Sequence, residues 1–267
     1  MGVYGGVEKN WAALTNTGRT HVATKGVVQS GLVLNLDAGV SSSYGGSGTT
    51  WTDLSGNGNT GTLVNGVGYV GTNGGALSFD GVNDYVSCGK PSSLNFGVGS
   101  FSINVWFFVS TGNILKVLCG KGAASGSNSS GWWLAVDNRY NSNSNGLSFS
   151  VNSTSVNTSY GSITTTLPYS INTWNNISAV WNSTNKIAYL YLNTLLMNTT
   201  TTQQEGSGFS GVTDTDNANF NSVIASYDNG NSLYFPGNIS QASIYNRALS
   251  ASEISQNFLA MRARFGI

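Results

Sequence analysis

Charge is what this chain has least of. Of 267 residues only 8% are Asp, Glu, Lys or Arg, and eleven bases balance eleven acids to a formal net charge of zero. A neutral chain has no electrostatic means of gathering phosphates, which argues against nucleic-acid binding. A single histidine, His21, leaves a zinc site or a Ser-His-Asp triad little to build on. Two cysteines, Cys88 and Cys119, do not make a disulfide framework; they could pair if the ends of their strands are neighbours, or stay as free buried thiols. No run of 18 apolar residues exists, so no membrane-spanning helix is expected, and the opening Met1–Lys9 lacks the basic end and apolar block of a signal peptide. The many Asn-x-Ser/Thr triplets then read as chance products of a chain rich in those residues.

With 39% hydrophobic residues, a single core can form. Short strand-like runs bounded by Gly and Asn turns follow one another through most of the length. In Phe101–Ser110, Phe101, Ile103, Val105, Phe107 and Val109 alternate with mostly polar residues, so period two puts them on one face. Ala76–Asp80 and Asp84–Cys88 flank a Gly81-Val82-Asn83 turn and read as a hairpin. Further strands are expected at Gly31–Asp37, Ile114–Cys119, Trp132–Val136, Leu147–Val151, Trp174–Trp181, Lys186–Leu192, Ser222–Ser226 and Ile239–Tyr245. About a dozen strands with three prolines favour a closed sandwich. Ser250-Ala-Ser-Glu253 is a capping box, and it opens a helix to about Arg264 with Ile254, Phe258 and Met261 on one side. Residues 1–30 are less patterned and read as an arm or docking segment, the alternative being an edge strand with a frayed end.

Several of these runs, in order, resemble the laminin-G-like, concanavalin A-like lectin/glucanase jelly rolls. They are Leu32-Val-Leu-Asn-Leu-Asp37-Ala-Gly39, Trp51-Thr-Asp53-Leu-Ser-Gly-Asn-Gly-Asn59, Leu77–Val86, and Tyr245-Asn-Arg-Ala-Leu-Ser250 at the close. The resemblance spans roughly residues 31–258. It implies an all-β sandwich of two antiparallel sheets with a short C-terminal helix, as a jelly-roll domain over 31–267 capped by a helix at 250–264. The wording is similar to that of tailed-bacteriophage proteins, which implies a non-enzymatic virion surface protein, in the capsid or a tail fibre. Other virion proteins would be its partners, and a trimer is the first expectation by analogy. A free-standing bacterial carbohydrate-binding module or lectin is the alternative. In relatives, acids in the closing strand and in the Phe-Asp-Gly turn can hold calcium. Here Ser240 and Gln241 stand in the closing strand, while Asp80 and Asp84 remain; the same two acids are also ordinary turn chemistry. Whether they hold a metal stays open.

Glycosidic hydrolysis needs two carboxyl groups about 5–10 Å apart. The glutamates are Glu8, Glu205 and Glu253, no two on one strand; Asp214 and Asp216 share a polar loop that suits a loosely held cation better than catalysis. No catalytic apparatus and no cofactor are expected. Sugar binding needs less: an aromatic face for the C–H side of a pyranose, and Asn, Asp or Gln for its hydroxyls. Aromatics in polar company are Trp132 (beside Trp133), Tyr140, Tyr227 and Tyr234, and these four are the candidate ligand contacts. Trp132 and Trp133 are adjacent, so on a strand they face opposite sides and at least one belongs to the core. Trp51, Trp174 and Trp181 sit inside strand motifs and read as structural.

Overall fold

The computed structural model describes residues 26–112, 114–122, 130–138, 145–153, 160–164, 168–200, 215 and 219–267. In chain order the strands are β1 (Leu32–Asp37), β2 (Thr50–Trp51), β3 (Gly61–Val64), β4 (Gly68–Val70), β5 (Ala76–Asp80), β6 (Tyr85–Ser87), β7 (Phe101–Phe108) and β8 (Lys116–Lys121). They continue with β9 (Gly131–Asp137), β10 (Gly146–Asn152), β11 (Tyr160–Thr164), β12 (Trp174–Asn182), β13 (Ile187–Leu192), β14 (Leu195–Thr200), β15 (Ser222–Ile224) and β16 (Pro236–Tyr245). Helix α1 (Ala251–Phe265) closes the chain.

The strands form two antiparallel sheets of eight. The first runs β14-β13-β12-β7-β16-β5-β4, with β1 also paired to β16; the second runs β11-β10-β9-β8-β15-β6-β3-β2. Phe101, Ile103, Val105, Phe107 and Val109 all lie in the core between the sheets, as their alternation predicts. Trp51 and Trp181 join the same core, whereas Trp174 is buried beneath α1. The fold is the expected jelly-roll sandwich.

One expectation is corrected. Leu77–Val86 is not a hairpin: β5 pairs with β4 and β16 in the first sheet, and β6 pairs with β3 and β15 in the second. The Gly81 turn instead carries the chain across the sandwich, so Phe79 and Val86 enter the core from opposite sides. Gly81 sits at φ +76°, and a Cβ there would come within 2.7 Å of the Pro236 ring. Asp80 Oδ1 accepts the Val82 N–H (2.8 Å) and holds this turn, which lowers its pKa. Asp84 Oδ1 accepts from Gly66 N–H at 2.8 Å and its Oδ2 from Asp80 N–H at 3.2 Å. Both carboxylates thus serve as turn ties. Among the described residues no group of three or more His, Cys, Asp or Glu could hold a metal ion.

The Trp51–Asn59 motif is a knot around Asp53. Its carboxylate accepts from the N–H groups of Asn35 (2.8 Å), Ser55 (2.9 Å) and Asn59 (2.9 Å). Asn57 and Asn59 side chains then donate to the carbonyls of Leu32 and Val33, tying the loop to β1. The Asp37-Ala-Gly39 motif meets the far end of the chain. Arg264 forms two hydrogen bonds to the Asp37 carboxylate, at 2.7 and 3.0 Å, and passes against Gly39 and Gly74, where any Cβ would clash.

Helix α1 begins with the predicted capping box of Ser250 and Glu253. Its buried face, Ile254, Asn257, Phe258, Met261 and Phe265, docks on the outside of the first sheet. There Trp106 stacks between Phe258 (5.4 Å) and Phe265 (4.2 Å). Residues 26–30, counted with the arm in the sequence reading, run along this helix: Val28 N–H donates to Asn257 Oδ1 and Gln256 Nε2 to the Gly26 carbonyl. Residues 1–25 lie outside the described residues. No described helix is long and apolar enough to cross a membrane. Cys88 and Cys119 are free and buried.

Candidate functional site

With α1 over the first sheet, the outward side of the second sheet carries one of the candidate aromatics, Tyr227, together with Trp133. Period two sends Trp132, Leu134 and Val136 of β9 inward and Trp133, Ala135 and Asp137 outward. Trp132 is therefore not a ligand contact but a core residue, 1% exposed, with ring neighbours Phe101 at 5.7 Å and Phe96 at 6.1 Å. Its neighbour Trp133 is the outward, partly exposed member of the pair.

Tyr227 lies beside Trp133, with ring centroids 6.2 Å apart and planes tilted by 42°. Glycines make its bed. A Cβ on Gly120 would stand 2.8 Å from the Tyr227 ring, and one on Gly122 would stand 2.7 Å from its hydroxyl. This accounts for the two glycines of the Cys119-Gly-Lys-Gly122 run, where strand β8 ends. At 2% exposure Tyr227 offers no ring face to a ligand, so its part is to back Trp133. Its hydroxyl has no hydrogen-bond partner. Burial, and then the nearby Asp228 charge, raise its pKa.

Tyr227 belongs to the segment from Ala225 to Phe235 that crosses beside β8, held by Ala225 N–H to the Leu118 carbonyl (2.9 Å) and Val117 N–H to the Leu233 carbonyl (3.0 Å). Four non-glycine residues in it have left-handed backbone: Ala225 (+64°), Asp228 (+52°), Asn229 (+58°) and Leu233 (+53°). Such conformations cost energy and persist where surrounding structure enforces them. Tyr234 is part of that enforcement: its hydroxyl donates to the Gly230 carbonyl at 2.6 Å, while the Tyr85 ring packs over Gly230. Tyr140 lies outside the described residues, as do His21, Glu8, Glu205, Asp214 and Asp216.

Beyond Trp133 this side of the sheet carries small hydroxyl residues, Ser148, Ser150, Ser162 and Thr164, each at most 3% exposed. Trp133 stands opposite Ser150, which stands opposite Ser162; Ala135 stands opposite Ser148, which stands opposite Thr164. Ser150 Oγ donates to Ser162 Oγ at 3.0 Å, and the buried Ser148 Oγ has no partner. The partly exposed indole is thus the accessible group here, while the hydroxyls beside it are enclosed. The sequence singled out the Trp132-Trp133 pair, but it could not tell which member faces outward, because that depends on the strand's phase against a partner sheet.

Three of the described carboxylates have structural employment elsewhere. Glu253 pairs with Arg247 at 2.7 Å in the helix cap, Asp37 with Arg264 at 2.7 Å, and Asp53 ties a loop to β1.

Residues 79–255 match the family model described as the concanavalin A-like lectin/glucanases superfamily, here its laminin-G-like branch. The chain belongs to this superfamily. Among curated proteins, none matches the chain. Solved structures share the lectin-like fold at low identity. The binding domain of paraclostridial mosquitocidal protein 1 is 21% identical with a TM-score of 0.63, over 85% of this chain and 52% of that one. Domain 4 of an extracellular arabinanase from Geobacillus stearothermophilus, in complex with arabinotriose, is 14% identical with a TM-score of 0.58, over 85% of this chain and 97% of that one. The ligand-binding domain of botulinum neurotoxin serotype D, in complex with N-acetylneuraminic acid, is 12% identical with a TM-score of 0.60, over 87% of this chain and 51% of that one. The chain spans about half the length of the toxin domains it matches. These neighbours are mostly binding domains.

Proposed function

We propose that this chain is a non-catalytic glycan-binding module of the concanavalin A-like superfamily, with the outward face of the second sheet as its binding surface. The observation that carries the reading is Trp133, turned outward, partly exposed and backed by the Tyr227 ring. An indole face packs on the C–H side of a pyranose or furanose, while hydroxyls exchange hydrogen bonds with the sugar's own. Support comes also from a similar domain whose structure is a complex with arabinotriose, and from the structural roles of Asp37, Asp53 and Glu253, which take them out of the pool of catalytic acids.

A screen of the pure protein on immobilised glycans tests this, with reducing-end release measured in parallel. Binding lost in the Trp133→Ala variant without sugar release is the expected result. Reducing ends released by wild-type protein would contradict the non-catalytic part.

The resemblance of the opening and closing motifs to tailed-phage proteins supports a second, finer reading, in which the module is displayed as an oligomer on a virion surface. Labelling of purified particles with an antibody to this chain tests that placement, and the chain's sedimentation tests the trimer.

A further inference from the structure

Among the described residues one lysine lies in the interior. Lys121, the last residue of β8, is 1% exposed. Backbone pairing fixes it on both sides, to Trp132 of β9 and to Ser222 of β15. Directly paired residues share a face, so Lys121 enters the sandwich beside Trp132, whose ring meets Phe96 and Phe101. There its Nζ donates to Oδ1 of the Asn95 carboxamide.

Asn95 is as firmly placed. It follows the turn Ser92–Leu94 on the crossing from β6 to β7, and its N–H donates to the Ser92 carbonyl at 3.1 Å. On one side of it the Ser93 hydroxyl is bonded to the Asn59 side chain. On the other, the Gly97 carbonyl accepts from both the N–H (2.8 Å) and the Oγ1 (3.1 Å) of the buried Thr215.

An amine and a carboxamide do not condense readily in water, but this setting differs in three respects. Burying an ammonium is costly even when it is hydrogen-bonded. Loss of hydration disfavours it relative to the free amine, which is the nucleophile. The electrophilic carbon, Asn95 Cγ, is one bond from the oxygen that Nζ touches, and separate elements hold the two groups together, so no encounter has to be made.

We propose that Lys121 and Asn95 become joined by an intramolecular isopeptide bond. From the free amine, Nζ attacks Cγ; the Nζ–Cγ bond forms, the Cγ–Nδ2 bond breaks, and an Nζ proton passes to the departing nitrogen, which leaves as ammonia. No oxidant or reductant takes part, and a neutral amide replaces a buried amine. The bond staples the crossing between the two sheets to β8 and closes a loop that contains all of β7. Like a disulfide, such a crosslink stabilises chiefly by restricting the unfolded chain.

Intact mass of the full chain, measured after denaturation, tests this. Apart from any removal of Met1, the expected mass lies below the sequence value by one ammonia, about 17 Da. A tryptic species should join the peptides that carry Asn95 and Lys121. Both features should vanish in Asn95→Ala and in Lys121→Met, and Asn95→Ala should unfold at lower denaturant. Wild-type protein at its full sequence mass would overturn the proposal, whatever the variants do. So would a loss of ammonia without the joined species, which is the signature of a succinimide at an asparagine.

Discussion

At the scale of single residues, burial decides chemistry that the residue type alone leaves open. Cys88 and Cys119 are both fully enclosed in the core, and loss of hydration pushes the Cys88 thiol up to about 12 and Cys119 well above its ordinary value. Neither supplies a thiolate near neutrality. Native protein should leave Ellman's reagent unreacted, and two thiols per chain should appear on addition of denaturant. Rapid labelling of one thiol in native protein would show that its strand opens. Phe79 makes the complementary point about packing. It is 4% exposed in the central core, and Phe79→Ala should cost about 3–5 kcal/mol in chemical denaturation. An unchanged midpoint would mean that β5 has the opposite phase.

At the scale of elements, α1 joins local signals to a tertiary anchor. Arg247, and then the Ser250 backbone N–H, hold the Glu253 carboxyl down at about 2. A depressed folded-state pKa stabilises above the unfolded value near 4.3 and is lost as pH falls from there through about 2. Acid should therefore loosen the helix start first, seen as faster amide exchange over residues 251–254, with the pair's contribution below about 1 kcal/mol because both side chains are partly exposed. Exchange there that does not change with pH would contradict the ion-pair account. At the helix's other end Arg264 reaches the largely buried Asp37 carboxylate, and Arg264→Ala strands that charge. The expected cost is about 3 kcal/mol, read as a lower denaturation midpoint.

Elements also show where sequence reasoning stops. The capping box, the core-facing alternation of Phe101–Val109 and the helix face were legible because periodicity and capping are local. Pairing is not local. Gly81 and its neighbours announce a reversal of the chain, yet the same turn chemistry serves a hairpin or a crossing between sheets. What separates them is that Asp80 finds Pro236 as its strand partner, 156 positions away, while Ser87 finds Val223. Short strands such as β2, β3, β4 and β15 have too few residues to show a period. The site suffered the same limit: an aromatic pair was visible, but Trp132 and Trp133 exchanged roles once the phase of β9 was known. Tyr227 and Tyr234 proved to be supports of a strained crossing segment: Gly120 leaves room for the Tyr227 ring, and the Tyr234 hydroxyl holds the Gly230 carbonyl.

At the scale of the whole molecule, the two faces of the sandwich are unequal. The first sheet's outer side is taken up by α1 and residues 26–30, locked at both ends by Arg247 and Arg264. On the second sheet's outer side the described strands β9 and β10 are largely enclosed, Ser148 and Ser150 included, and Trp133 is the partly exposed aromatic there. A neutral chain rich in Asn, Ser, Thr and Gly offers groups that exchange hydrogen bonds readily with sugar hydroxyls. The central claim is tested most directly by calorimetric titration of a neutral oligosaccharide, taken from the glycan screen, into wild type, Trp133→Ala and Tyr69→Ala. Tyr69 is 39% exposed on the edge strand β4, far from the proposed face, and serves as the control aromatic. Loss of about 2 kcal/mol, roughly a 30-fold weakening, is predicted for Trp133→Ala, with Tyr69→Ala unchanged; equal affinity for wild type and Trp133→Ala would contradict the account.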